Sequence, residues 1–171
     1  MKNLLIVLLM TTFCGVQVQA QKFAVVDLNL VLESMPDYRK AQENLDNLAA
    51  EWRQQIANEY DKITSMYNKY QSEQVLMSDE MKRTKEEEIV NKEKEVREMQ
   101  KNRFGPDGDL FKKRQELVQP IQEKVFAAIQ DYARERAIDV ILDKEASVGI
   151  LFVNDALDRT DDVMKKLNIK K

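Results

Sequence analysis

The sequence predicts a mostly helical α+β fold, a long helical hairpin arm standing on a small β body whose short strands are completed by further copies of the chain. Three observations predict it. Four Gly and three Pro in 171 residues are too few for a turn-rich β protein and suit long uninterrupted helices. From Ala41 apolar residues recur at Leu45, Leu48, Trp52, Ile56, Tyr60, Ile63, Tyr67 and Tyr70, an average step of about 3.6, the period of an unstrained helix. Only three short apolar runs read as strands, flanking that helical stretch. The composition, 43% hydrophobic and 33% charged, suits one folded domain. With no His and a single Cys, Ser-His-Asp triads, Cys-His nucleophiles, His-ligated zinc and His-held haem are excluded.

Residues 1–20 read as a secretory leader. Lys2 precedes the apolar run Leu4 to Met10, and a more polar stretch ends in Val18-Gln19-Ala20, which places cleavage between Ala20 and Gln21. The run is too short for a mature span of a ~30 Å bilayer. An uncleaved inner-membrane anchor is the alternative reading, and Phe13 before Cys14 speaks against a lipoprotein. Cleavage removes Cys14 and Lys2, leaving no thiol and 26 basic against 30 acidic residues, a net charge of −4. No wholesale attraction to nucleic acid or anionic lipid follows.

Phe23-Ala24-Val25-Val26 reads as a buried strand ended by Asp27. Ser34, Pro36 and Asp37 offer a cap, a first-turn proline and a carboxylate at a helix start. The steps Leu48, Trp52, Ile56, Tyr60 are all fours, which breaks a heptad register and predicts a loose hairpin rather than a zipper. Asp79 to Arg103 holds eight acidic and eight basic residues among 25, so little of that helix can be buried. Glu88 with Lys92 and Glu93 with Arg97 stand at favourable i, i+4 spacing.

Two positions compete for the hairpin tip, Ser78 and the Gly105-Pro106-Asp107-Gly108 turn. A tip at Gly105 mismatches the outgoing and returning helices by roughly 57 Å at ~1.5 Å per residue, so the tip falls near 78. The glycine turn then interrupts the return as a hinge, with an ordinary inter-helix loop as its alternative. The arm is therefore 37–119, and the body is 21–36 with 120–171. Leu117 to Ala133 resumes a helical stripe, kinked at Pro120. Val140-Ile141-Leu142 and Ile150-Leu151-Phe152-Val153 are expected as a β-hairpin pairing with the first strand, and Thr160 as the cap of a last helix.

Three short strands make a marginal sheet with open edges. Phe23, Val25, Val26, Val140, Ile141, Leu142, Ile150, Leu151, Phe152 and Val153 are accordingly expected to form oligomerisation strands. At the tip, Met66, Tyr67, Tyr70, Leu76, Met77 and Met81 have few partners to cover them. They are the candidates for weak contact with many unfolded chains, a task suited to adaptable Met. Tyr67 and Tyr70 can instead pack across the hairpin.

In this order, Phe23-Ala24-Val25-Val26-Asp27-Leu28, Val31-Leu32-Glu33-Ser34-Met35-Pro36, a charged hairpin, Leu117-Val118-Gln119-Pro120-Ile121, Asp139-Val140-Ile141-Leu142-Asp143 and Leu157-Asp158-Arg159-Thr160-Asp161-Asp162-Val163 resemble the Skp/OmpH family of periplasmic chaperones. The resemblance covers essentially the whole chain. It implies a homotrimer with three tentacle-like arms around a cavity, an ATP-independent holdase in the periplasm that binds unfolded outer-membrane proteins and prevents their aggregation. It implies neither catalysis nor a cofactor, and it adds the outer-membrane assembly machinery as a further partner. Strongly basic arms occur in the family, and the balanced segment 79–103 departs from them, leaving contact with lipid or lipopolysaccharide open.

Two other classes compete. A structural coiled-coil spacer of the cell envelope would favour a sustained heptad, which is absent. An enzyme of paired carboxylates could use Asp139 with Asp143, or Asp155 with Asp158, but no apolar pocket is expected around them.

Overall fold

The computed structural model describes residues 21–146 and 151–169. The expected leader, with Ala20 of its cleavage pair, and Ile150 of the expected last strand lie outside those residues. The described chain runs β1 (Phe23–Val26), α1 (Leu28–Ser34), α2 (Pro36–Glu73), a 3-10 turn (Gln74–Leu76), α3 (Asp79–Phe104), α4 (Asp109–Arg136), β2 (Val140–Asp143), a second 3-10 turn (Asp155–Leu157) and α5 (Thr160–Lys166). It is the α+β, mostly helical fold with a long hairpin that the sequence predicts.

Helix α2, 38 residues long, spans about 57 Å at ~1.5 Å per residue. The chain reverses after it, and α3 and then α4 pack back along it. Ser78 caps α3 as expected, its hydroxyl accepting from the Met81 amide at 3.3 Å. Pro36 occupies the first turn of α2 with Asp37 beside it, but Ser34 is no cap: Met35 holds that position, and the Ser34 hydroxyl donates to the Leu30 carbonyl at 2.6 Å. Its helix α1 lasts one residue too long to free it. Helix α4 continues through Pro120 unbroken.

Three apolar clusters run from base to tip. In the body Val26, Val31, Leu32, Met35, Val125, Tyr132, Val163 and Met164 pack together. Ala41, Leu45 and Val118 join α2 to α4 in the lower arm. Ile56, Ile63, Ile89 and Val96 join α2 to α3 above the glycine turn. The turn is a tightly built joint. A Cβ on Gly105 would lie 2.4 Å from the Lys101 carbonyl oxygen, and one on Gly108 would lie 2.8 Å from that of Asn102, so only glycine lets the chain pass so close to its own helix end.

The sheet departs from expectation. Strands β1 and β2 pair in parallel, Phe23 opposite Val140 through Val26 opposite Asp143, with the whole arm as their crossover. The expected hairpin partner is missing among the described residues: Leu151, Phe152 and Val153 are not in a strand, and Leu151 is 99% and Phe152 85% exposed. The other edge of β1 is instead taken by the chain entering α5, where Val25 bridges to Asp158 and the Arg159 amide donates to the Val25 carbonyl at 2.9 Å. This segment is fixed by side-chain bonds that a free apolar strand cannot make.

Helix α4 ends in a left-handed residue, Ala137 at φ 50°, whose amide and that of Ile138 close back on the Ala133 carbonyl. That position favours glycine, and an L side chain there costs ~1 kcal/mol. Ala137→Gly is expected to stabilise the protein by about 0.5–1 kcal/mol in urea unfolding, and a destabilised variant would refute the assignment of strain.

Candidate functional site

Cavities, charge and exposed apolar surface were each candidates for a site. Three of the four carboxylates that could have formed an acid/base pair are occupied structurally. Asp139 accepts from the Lys22 amide at 2.7 Å, Asp143 from the Glu145 amide at 3.2 Å, and Asp158 from Lys144 and Thr160 at 2.8 and 2.6 Å. Asp158 is the hub of the body. Burial opposes its charge, yet the Lys144 ammonium and the hydroxyl and amide of Thr160 hold its carboxyl down at about 2. Thr160 in turn accepts from the Asp27 amide at 2.9 Å while donating to Asp158. So Thr160 is not the cap foreseen for α5; it is a buried first-turn residue, and Asp158, accepting from the Thr160 amide at 2.9 Å, ties down that helix start.

The most exposed large apolar side chains lie at the two ends of the molecule, with Val90 and Phe111 exposed along the arm between them. At the tip Val75 is 86% and Leu76 91% exposed, with Met81 and Tyr67 about half exposed and Met77 half-buried beside them. A three-residue 3-10 turn has no face to bury, and the five-residue reversal, 74–78, offers no third helix to cover it. Met66 and Tyr70 belong elsewhere: both pack on the upper-arm cluster, and the Tyr70 hydroxyl donates to the Glu86 carboxylate across the hairpin. That bond raises the Tyr70 phenol above its usual value. Val75 was overlooked by the sequence reading, although its place in the run Val75-Leu76-Met77 was signal enough.

At the base, β2 presents Val140 and Leu142 on its open side, and Phe23, Leu157, Leu151 and Phe152 are exposed as well. Val26 and Ile141, by contrast, face the body cluster, and Val25 is buried beside the chain entering α5. Opposite charges lace the arm between these ends. Lys92 does not pair with Glu88 but reaches across the hairpin to Glu59 at 2.8 Å, and Glu59 also meets Lys62 at 2.6 Å. Lys62 and Lys92 together hold the Glu59 carboxyl down at about 2. Glu93 and Arg97 pair as expected, at 3.5 Å.

The arrangement is thus a charged stalk with its most exposed apolar surface at tip and base. Compared with known proteins, residues 22–167 match the family of OmpH-like outer membrane proteins. The chain belongs to the OmpH-like family. No curated protein matches it. Among solved structures, a crystal structure of an OmpH-like candidate outer membrane chaperone from Caulobacter crescentus CB15 superposes with a TM-score of 0.70 at 13% identity, covering 88% of this chain and 85% of that one. At that identity the likeness is one of fold. The OmpH-like fold therefore carries both apolar ends in this sequence, and no helix among the described residues is long and apolar enough to cross a membrane.

Proposed function

We propose that this protein is an ATP-independent holdase of the periplasm that binds unfolded outer-membrane proteins and keeps them from aggregating in transit. The observation that carries the reading is the apolar tip, Val75 and Leu76 almost fully exposed at the end of a charged stalk in an OmpH-like chain. Exposed apolar surface of this kind marks an interaction site. Scattered Met and aliphatic contacts bind many sequences weakly, and several arms on one client raise the effective concentration of each further contact.

Several arms require an assembly. The open side of β2 with Val140 and Leu142, together with Phe23, Leu151 and Phe152, supports association at the base, where neighbouring copies would complete the short sheet. A homotrimer with arms around one cavity is our reading of that surface. The leader, cleaved between Ala20 and Gln21, delivers the chain to the compartment where its clients pass.

The test is direct. Protein expressed with its leader and purified is weighed by mass spectrometry and sedimentation, then mixed with a urea-diluted outer-membrane β-barrel protein without nucleotide. Loss of residues 1–20, a trimer mass and suppressed aggregation at near-stoichiometric ratio are expected. A stable oligomer that leaves aggregation unchanged would return the envelope spacer as the better reading.

A further inference from the structure

Halfway up the arm, beside the glycine joint, lies a groove of about 420 Å³ lined by Arg53, Ile56, Ala57, Tyr60, Gln100 and Phe104. That is the small end of ligand-sized clefts, room for an aromatic ring and its flanking backbone and not for a folded partner. Its floor is Ile56, buried in the upper-arm cluster, with Phe104 packed against the same cluster. Tyr60 forms one wall, 41% exposed, its hydroxyl 3.5 Å from Gln100. An aromatic guest would meet two rings, a setting in which edge-to-face or offset contact adds ~0.5–1.5 kcal/mol beyond burial.

The rim adds charge selectivity. Neighbouring arginines are spent on carboxylates, Arg103 on Asp109 at 2.7 Å and Arg97 on Glu93. Arg53 pairs with no carboxylate among the described residues; its guanidinium only lies over the Phe104 ring, 5.8 Å from the centroid. An exposed guanidinium over an aromatic wall leaves its N–H donors available to an incoming carboxylate.

We propose that this groove binds an aromatic side chain of an extended polypeptide whose neighbouring residue is acidic. The ring enters against Phe104 and Tyr60 while the carboxylate meets Arg53, and the backbone lies along α2 past Ala57. This deepens the holdase reading and rests on it for its purpose: the unpatterned tip contacts any apolar segment, while the groove selects among segments along a bound chain.

The reporter is built in. Trp52, the only tryptophan, is buried with its ring centroid 6.2 Å from that of Phe104 in an edge contact, so occupancy beside Phe104 reaches the indole. The intact protein is titrated with the capped tetrapeptides Gly-Asp-Phe-Gly, Gly-Lys-Phe-Gly and Gly-Asp-Ala-Gly, following the Trp52 indole N–H by NMR and heat by calorimetry. The Asp-Phe peptide is expected to bind about tenfold more tightly than either other, the worth of one charge-assisted contact or one ring.

Arg53→Glu reverses the preference to the Lys-Phe peptide, and Ala57→Phe, which fills the groove, abolishes binding of both. Arg53 and Ala57 are exposed, so unchanged far-UV circular dichroism is expected from each variant. Asp-Phe and Lys-Phe peptides binding within twofold of each other, or Arg53→Glu leaving their order unchanged, would overturn the proposal. The assay needs no client aggregation: Asp-Phe binding without holdase activity supports the groove and overturns the holdase, and the reverse result overturns the groove alone.

Discussion

Replacing Asp158 by alanine is expected to destabilise the protein by about 3 kcal/mol, the largest loss of any single surface-proximal change. Three bonds end together: the ion pair to Lys144 at 2.8 Å and two acceptances from Thr160, at its amide and hydroxyl. A helix-start bond is worth ~0.5–2 kcal/mol and a hydrogen bond to a charged group ~1.5–3, sharing part of their worth because they converge on one carboxylate. The damage spreads because Thr160 is buried and also accepts from the Asp27 amide where β1 leaves the sheet. Urea unfolding of Asp158→Ala against Asp158→Asn and Thr160→Val measures it. A loss below about 1 kcal/mol would mean that the hub is decoration on a sheet held by packing alone.

The same residue sets an acid limit. Its folded value, about 2 against 3.8 for the free side chain, is depressed, so the stabilisation is fully present above 3.8 and is lost as pH falls through 2. With a quarter of the side chain exposed, the amount at stake is about 1–2 kcal/mol. The wild type should lose stability more steeply than Asp158→Asn between pH 4 and 2, and parallel curves would contradict the depressed value. On the alkaline side the pair fails as Lys144, raised by its bond to Asp158, loses its proton.

Which parts of this architecture were legible in the sequence follows from which forces set them. The arm was legible because a 3.6 period sustained from Ala41 to Tyr70 depends on nothing distant, and a length comparison alone located the reversal at Ser78. The glycine turn's place was legible but its packing was not. The contact of Arg103 with the Trp52 ring, 4.4 Å from its centroid, and of Trp52 with Phe104 joins residues some fifty positions apart. Composition marks Gly105 to Gly108 only as a break, while packing makes it a clamp. The sheet was misread for a related reason. Val140-Ile141-Leu142 and Leu151-Phe152-Val153 look alike as apolar runs, and pattern favours pairing them as a hairpin. What decides the second edge of β1 is instead the polar chain Asp158, Thr160, Asp27, which carries no period. At the tip the structure leaves Leu76 and Met81 exposed and packs Met66 on the upper-arm cluster, while Tyr70 packs across the hairpin, the alternative its sequence position offered. Residues one helical turn apart differ in facing α3 or facing water.

The tip makes the second large prediction, one in which function and stability separate. The variant combining Val75→Ser, Leu76→Ser, Met77→Ser and Met81→Ser is expected to lose at least about tenfold in affinity for an unfolded outer-membrane protein. Its unfolding free energy should fall by no more than about 1 kcal/mol, because Val75 and Leu76 have no packing to forfeit and only Met77 and Met81 are partly buried. On the client side, full burial of such a side chain is worth ~1.5–3 kcal/mol; even half of that for two of the four exceeds the 1.4 kcal/mol that makes a factor of ten. Multivalency enlarges the effect, since every arm of an assembly carries the same change. Met66→Ser and Tyr70→Phe provide the contrast: Met66 packs on the upper-arm cluster and Tyr70 bonds to Glu86, so these changes should cost arm stability and spare client affinity. Fluorescence anisotropy of a labelled client, with urea unfolding in parallel, measures both. Unchanged affinity in the quadruple variant would move client capture away from the tip to the inner surfaces of the arms, whereas a matched loss of affinity and stability would show that these side chains pack in the assembled protein.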